Sequence, residues 1–225
     1  MKVLVFAHGP LVTPGWLADA LGEVGADHTM VDLSLGDPVP SGRWDRVVVL
    51  GGHMGAYEID AYPWLVAEKQ FLKGQLAEET PVLGVCLGSQ LLADVIGGRA
   101  YLGNGKEIGF LSLQRTEAGE RDPTMAALDG TVVAWHQDTF DLPDGAELLA
   151  FTGQYPHAFR FGSAMGVQSH PELTPEMWAG WMAAEGSADL EDAGLDPADF
   201  AQRLADESER LRRQAVAFFR SWLEE

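Results

Sequence analysis

The sequence predicts an α/β fold: a mostly parallel central sheet with helices on both faces and a small antiparallel sheet added to it. Two observations carry this reading. Short apolar runs rich in β-branched residues, at 3–6, 47–50 and 81–85, read as strands buried on both faces, as in parallel sheets. Stretches with helical spacing separate them, and alternating strand and helix implies right-handed crossovers.

The elements follow in order. Residues 3–6 form a first core strand. Residues 14–24 offer Trp16, Leu17, Ala20 and Leu21 at helical spacing. After the strand at 47–50, residues 62–76 present Leu65, Val66, Phe71, Leu72 and Leu76 in the same way. The strand at 81–85 leads into a helix over 87–96 with Leu91, Leu92, Val95 and Ile96 on its apolar face. The middle of the chain changes character. Segments 106–116, 131–135, 147–151, 157–161 and 164–168 are short and strand-like, joined by Gly, Pro and Asp turns, and predict the mixed or antiparallel addition. Helix resumes at Pro175, which suits a first helical turn, and runs towards 184. The acidic stretch 186–197 reads as a loop. Residues 199–223 form a long amphipathic helix whose Phe200, Leu204, Leu211, Ala215, Phe218 and Trp222 face the core, with a homodimer seam as the alternative. No repeat or linker divides the chain, so 1–225 reads as one domain: a core of about 1–185, then the acidic loop and the C-terminal helix.

Composition narrows the function. At 225 residues and 46% hydrophobic content the chain can bury one sizeable core. A formal net charge of −19 argues against nucleic acid or an anionic membrane as partner. The N-terminal apolar run is too short for a signal peptide, and no run approaches the roughly 20 residues of a membrane span, so a cytoplasmic protein is expected. No spacing of His, Cys, Asp and Glu suggests a metal site, and no Gly-rich loop ends in Lys-Ser/Thr, so neither metal nor other cofactor is expected.

Cys86, the single cysteine, sits in Gly84-Val85-Cys86-Leu87-Gly88-Ser89-Gln90 between a buried strand and a helix. That is the setting of a nucleophile elbow. The glycines permit a tight turn and close approach of a substrate carbonyl. The thiol would lie at a helix N-terminus, whose partial positive charge favours thiolate. A thiol nucleophile needs a base, and the base needs an orienting group. His170-Pro171-Glu172, after the apolar strand at 164–167, supplies both. His170 at a strand end can point over the carboxyl edge of the sheet, where Cys86 should emerge. Glu172, two residues on in an extended segment, returns to the same side. His8 and His53 lie near strand ends and border the same region.

Together these segments resemble the class I (triad-type) glutamine amidotransferases, in particular stand-alone proteins of the GMP-synthase-amidotransferase-like group. Val48-Val49-Leu50-Gly51-Gly52 resembles that family's strand and glycine turn. Lys106-Glu107-Ile108-Gly109 and Trp135-His136-Gln137-Asp138 resemble two further segments, the second a loop lining the glutamine site, with His136 packed beneath it. The resemblance implies a flavodoxin-like three-layer sandwich. It implies attack by Cys86 on a γ-carboxamide to give a γ-glutamyl thioester, proton transfer through His170, and orientation of His170 by Glu172. Backbone N–H groups of Gly52 and Leu87 would form the oxyanion hole. Gln90, Trp135, Gln137 and Asp138 would contact the amino-acid end of the substrate, Asp138 suiting an ammonium group. The chain departs from the family pattern after Gly52, where His53-Met54 replaces a proline segment, and at Gln137, which replaces a glycine beside the bulky Trp135. Glutamine hydrolysis to glutamate and ammonia is the first expectation, either with a separate synthase subunit accepting the ammonia or as a plain hydrolase. A γ-glutamyl peptidase is the alternative, and a non-catalytic regulatory scaffold the second alternative.

Overall fold

Val3, Leu4, Val5 and Phe6 are inaccessible to solvent, as are Val47 to Leu50 and Val82 to Leu83, and these runs form the centre of the sheet. The computed structural model describes residues 1–128 and 130–225, with the side chains of all of these except 185–187. In chain order the strands are β1 (Lys2–His8), β2 (Asp27–Asp32), β3 (Arg46–Gly52), β4 (Val82–Val85), β5 (Arg99–Ser112), β6 (Gln114–Arg115), β7 (Thr131–Asp141), β8 (Glu147–Phe151), β9 (Pro156–Phe161) and β10 (Ala164–Val167). The helices are α1 (Trp16–Glu23), α2 (Trp64–Ala77), α3 (Leu87–Val95), α4 (Glu117–Arg121), α5 (Pro123–Ala127), α6 (Pro175–Trp181), α7 (Ser187–Asp192) and α8 (Pro197–Glu224). Among the described residues no helix is long and apolar enough to cross a membrane.

The main sheet runs β2-β1-β3-β4-β10-β9-β8-β6. Pairings from β2 through β10 are parallel, and β9, β8 and β6 continue the sheet antiparallel. Strand residues alternate between two cores. Val3, Val5, Val48 and Leu50 face α1 and the end of α8, against Leu17, Leu21, Phe218, Phe219 and Trp222. Leu4, Phe6, Val47 and Val49 face α2 and α3, against Leu65, Leu72, Leu91 and Leu92. This is the flavodoxin-like three-layer arrangement. The separate β5–β7 ribbon packs Ile108 and Val133 against α6 and the first half of α8, through Met177, Trp178, Phe200 and Leu204. The apolar face of α8 is therefore spent inside the chain.

Two expectations need correction, and two further features lay outside the sequence reading. Residues 27–32 are a strand that the sequence pattern concealed: β2 is an edge, mostly exposed, and carries no apolar run. Strand β7 does not stop at Trp135. It stays paired with β5 to Asp141, with Glu107 opposite His136 and Leu102 opposite Asp138, so the segment read as a loop is a strand. Within 186–197, residues Ser187–Asp192 are helical, following a π-turn at Met182–Gly186. Two short helices, α4 and α5, interrupt the strand-rich middle. Each has a side-chain cap, Thr116 to the Gly119 N–H (3.1 Å) and Asp122 to the Met125 N–H (2.8 Å), and Pro123 opens the second.

Candidate active site

Cys86 joins β4 to α3 with φ 52° and ψ −109°, a conformation that side-chain-bearing residues rarely adopt. Its neighbours hold it there. The Cys86 N–H donates to the Val167 carbonyl of β10 (2.8 Å), and Ser89 Oγ donates to the Cys86 carbonyl (2.7 Å). A Cβ at Gly84 would run into the Gly88 carbonyl, and one at Gly88 into the Val49 carbonyl. Only glycine lets strand, turn and helix approach this closely. The sulfur is left over the N-terminus of α3, 3.9 Å from the Trp135 carbonyl of the ribbon.

His170 leaves the end of β10, and its N–H donates to the Val133 carbonyl (2.8 Å). Its Nδ1 donates to Glu172 Oε1 at 2.8 Å, and the ring stands beside Cys86. Both meet above Gly51, where a side-chain carbon would stand 3.1 Å from His170 Cε1 and 3.6 Å from Cys86 Cβ. The Glu172 carbonyl is fixed from behind by the Trp16 N–H at the start of α1 (3.0 Å). Trp181 closes the outer side, its ring edge-on to His170 at 5.2 Å. Burial alone would push the His170 imidazolium down. The charges of Glu172 and Cys86, and hydrogen bonds to both, outweigh it, so the ring's pKa lies well above its ordinary value. Cysteine, histidine and carboxylate thus lie side by side in that order, each 6% exposed or less.

Gly52 and Leu87 are neighbours: a Cβ on Gly52 would lie 2.7 Å from Leu87 Cδ2. What holds the Gly51–Gly52 peptide is visible only in the folded chain. His8 is completely buried and donates from Nδ1 to the Gly51 carbonyl (2.9 Å), while its Nε2 meets Glu68 at 3.0 Å and Trp64 stacks on the ring. Desolvation opposes the cation, but Glu68 and the Gly51 carbonyl prevail, and the His8 pKa is raised. Because a carbonyl and the following N–H share one rigid plane, His8 sets the direction of the Gly52 N–H. His53 instead contacts Tyr62 (3.2 Å) away from this peptide.

Of the four expected substrate contacts, Gln90 lies on α3 and the other three divide along β7. Asp138 faces the elbow side. Its carbonyl accepts from Gln90 Nε2 (3.2 Å), and its Oδ1 accepts from the Tyr57 hydroxyl (3.3 Å). Burial pushes the Asp138 carboxyl up, the Tyr57 bond lowers it and Glu58 raises it further, leaving it above its ordinary value. Tyr57, desolvated and beside that carboxylate, is pushed up to about 12. Gln90 is 2% exposed and also donates to Gln168 Oε1 (3.3 Å), so its amide nitrogen is engaged in holding the ribbon. Alternation along the strand points Trp135 and Gln137 to the other face. The Trp135 ring packs between Trp178 and Trp181 and donates to Asp189 (3.2 Å); only its carbonyl faces the sulfur. Gln137 lines a cavity of about 560 Å³ with Lys106, Gln154 and Asp192. No metal-ligand spacing was visible in the sequence, yet folding gathers Glu107, His136 and His157 behind the ribbon.

Comparison with known proteins gives a consistent result. Residues 15–184 match the family model for class I glutamine amidotransferases. The glutamine amidotransferase-like protein YfeJ of Salmonella typhimurium is 31% identical over 192 residues, covering 82% of this chain and 74% of YfeJ. A glutamine-hydrolysing GMP synthase of Thermomicrobium roseum is 34% identical over 131 residues, covering 56% of this chain and 23% of the synthase. The chain thus aligns with about a quarter of the length of that relative. Among solved structures, a glutamine amidotransferase of Thermotoga maritima superposes with a TM-score of 0.89 at 31% identity, covering 100% of this chain and 98% of the other.

Proposed function

The chain belongs to the class I glutamine amidotransferase family, and we propose that it hydrolyses the γ-amide of glutamine to glutamate and ammonia through Cys86. One observation carries this reading: residues 86, 170 and 172, distant in sequence, meet as thiol, imidazole and carboxylate above Gly51. His170 takes the thiol proton, and the sulfur attacks the γ-carbonyl carbon. The oxyanion forms against the N–H groups of Gly52 and Leu87, where loss of one donor costs on the order of 3 kcal/mol. His170 then returns its proton to the departing nitrogen, leaving a γ-glutamyl thioester. Water, deprotonated by the same ring, releases glutamate. Glu172 keeps the ring oriented and offsets its charge. Asp138, with Tyr57 beside it, takes the substrate ammonium.

A second reading is a γ-glutamyl peptidase, because the same thioester chemistry at Cys86 accepts a γ-linked amino acid or amine in place of ammonia as the leaving group. Supplying the purified chain with glutamine and with γ-glutamyl dipeptides separates the two, with Cys86→Ala as control. Glutaminase chemistry predicts ammonia from glutamine alone. Faster release of the second amino acid from dipeptides selects the peptidase. Glutamine turnover that appears only with a separate synthase subunit places the chain in a two-protein amidotransferase. Absence of turnover, with no labelling of Cys86 by an electrophilic glutamine analogue, leaves a regulatory scaffold.

A further inference from the structure

Behind Asp138 lies a second constellation that the hydrolase reading does not use. His136 on β7 and Glu107 on β5 stand opposite each other in the ribbon, and His157 reaches them from β9 of the main sheet. His157 Nε2 is 2.8 Å and His136 Nε2 is 3.3 Å from Glu107 Oε2, and the three atoms lie within 4.8 Å of one another. The side chains are 0%, 1% and 10% exposed.

Hydrogen-bond chemistry leaves this cluster unfinished. His136 Nδ1 stands 2.9 Å from the Asp138 carbonyl, which only accepts, so Nδ1 carries the hydrogen. In the neutral ring Nε2 is then a lone pair. It is buried, has no hydrogen-bond partner, and points at a carboxylate oxygen. Two lone pairs at that separation repel unless a proton or a metal ion lies between them. The surroundings match what a transition-metal site requires. The far nitrogen of His136 is fixed by a carbonyl, and the far oxygen of Glu107 accepts from Thr152 Oγ1 (2.6 Å), outer bonds of the kind that orient metal ligands, whereas His157 Nδ1 is buried without such a partner. Ligand atoms around a tetrahedral ion with bonds of about 2.0–2.1 Å stand about 3.3 Å apart, close to the His136–Glu107 separation, while the His157–Glu107 hydrogen bond of 2.8 Å would open by about 0.5 Å to admit the ion. Of the three residues, Glu107 lines the 560 Å³ cavity, which marks the side from which an ion would enter.

We infer that Glu107, His136 and His157 bind one divalent first-row transition ion of the zinc class, which fastens the β5–β7 ribbon to the main sheet behind Asp138. Two imidazoles and one carboxylate form a donor set suited to such ions and unsuited to calcium or magnesium. The site would hold its ion whether or not Cys86 turns over glutamine.

The test uses the full chain carrying Cys86→Ala, so that the thiol cannot capture the metal. After chelation and dialysis, zinc is titrated by calorimetry and cobalt by visible absorption. One equivalent should bind with a Kd of about 1 μM or below. At 100-fold excess over Kd the melting temperature should rise by roughly 5–10 °C. Cobalt should show the intense ligand-field bands of a four-coordinate site. His157→Gln, which keeps a donor towards Glu107 but loses the ring nitrogen, should weaken binding at least 100-fold. Ring nitrogen-15 spectra of the unsubstituted chain give a check that needs no folded variant: zinc should shift the Nε2 signals of His136 and His157 together. Failure to bind at 1 mM, equal binding by His157→Gln, or spectra showing a second proton on His136 that zinc does not displace would each overturn the assignment.

Discussion

At the scale of single residues, the peptide before Gly52 matters as much as Gly52 itself. His8 holds the Gly51 carbonyl and is held in turn by Glu68, so the direction of the adjacent N–H depends on a pair that never reaches substrate. His8→Ala should lower kcat by about 10–100-fold and leave KM within about threefold, since misdirection of one donor is felt where charge develops. Steady-state kinetics on a variant with unchanged circular dichroism checks this. The His170–Glu172 pair makes a separate, pH-dependent contribution. His170 has a folded-state pKa well above its ordinary 6.5. The stability from this pair is therefore fully present below about pH 6.5 while Glu172 stays ionised, and disappears as pH rises through the elevated folded value. The wild type should exceed Glu172→Gln by about 3 kcal/mol near pH 6, with the gap narrowing steadily in alkali. Urea unfolding across that range measures it, and a gap that widened with pH would contradict the ionic origin.

At the scale of elements, the elbow is where backbone meets backbone. Gly88→Ala would drive a carbon into the Val49 carbonyl and should destabilise the fold by about 3 kcal/mol or more. Gly74 in α2 has open space around it, so Gly74→Ala should stabilise by about 0.5–1 kcal/mol through helix propensity. Paired denaturation curves for the two variants test whether space, rather than glycine as such, decides the outcome. The same distinction explains what the sequence disclosed. β1, β3 and β4 are legible because burial on both faces demands unbroken apolar runs. β2 is not, because an edge strand needs no such run, and α7 is hidden by its acidic, glycine-flanked composition. The nucleophile turn and the His-Pro-Glu segment are local patterns and can be read one residue after another. The pairs His8–Glu68 and Glu107–His157 are 60 and 50 residues apart, and only the packing of crossovers brings them together. Trp135 and Gln137 illustrate a related point: a loop imposes no alternation, whereas the strand they occupy sets their side chains on the face opposite Asp138.

At the scale of the whole molecule, charge and α8 set the terms. A net charge of −19 on 225 residues makes the folded chain repel itself. Raising sodium chloride from about 0.02 M to about 0.3 M should therefore raise the melting temperature by a few degrees, because the screening length falls below the spacing of most surface carboxylates. Scanning calorimetry in two buffers measures the shift. Helix α8 joins the layers. Phe200 and Leu204 sit in the ribbon core, Phe218, Phe219 and Trp222 in the sheet core, and Arg160 of β9 forms ion pairs with Asp122 and Glu225.

A chain whose entire sulfhydryl content is a single atom at a strained turn carries its own counting device. One equivalent of a mass-tagged electrophile reports the fraction of competent molecules in any preparation. A spin label or fluorophore placed there needs no prior removal of competing thiols. Slow oxidation during storage would register as a stoichiometric loss of that one reading, with no ambiguity about which sulfur was lost.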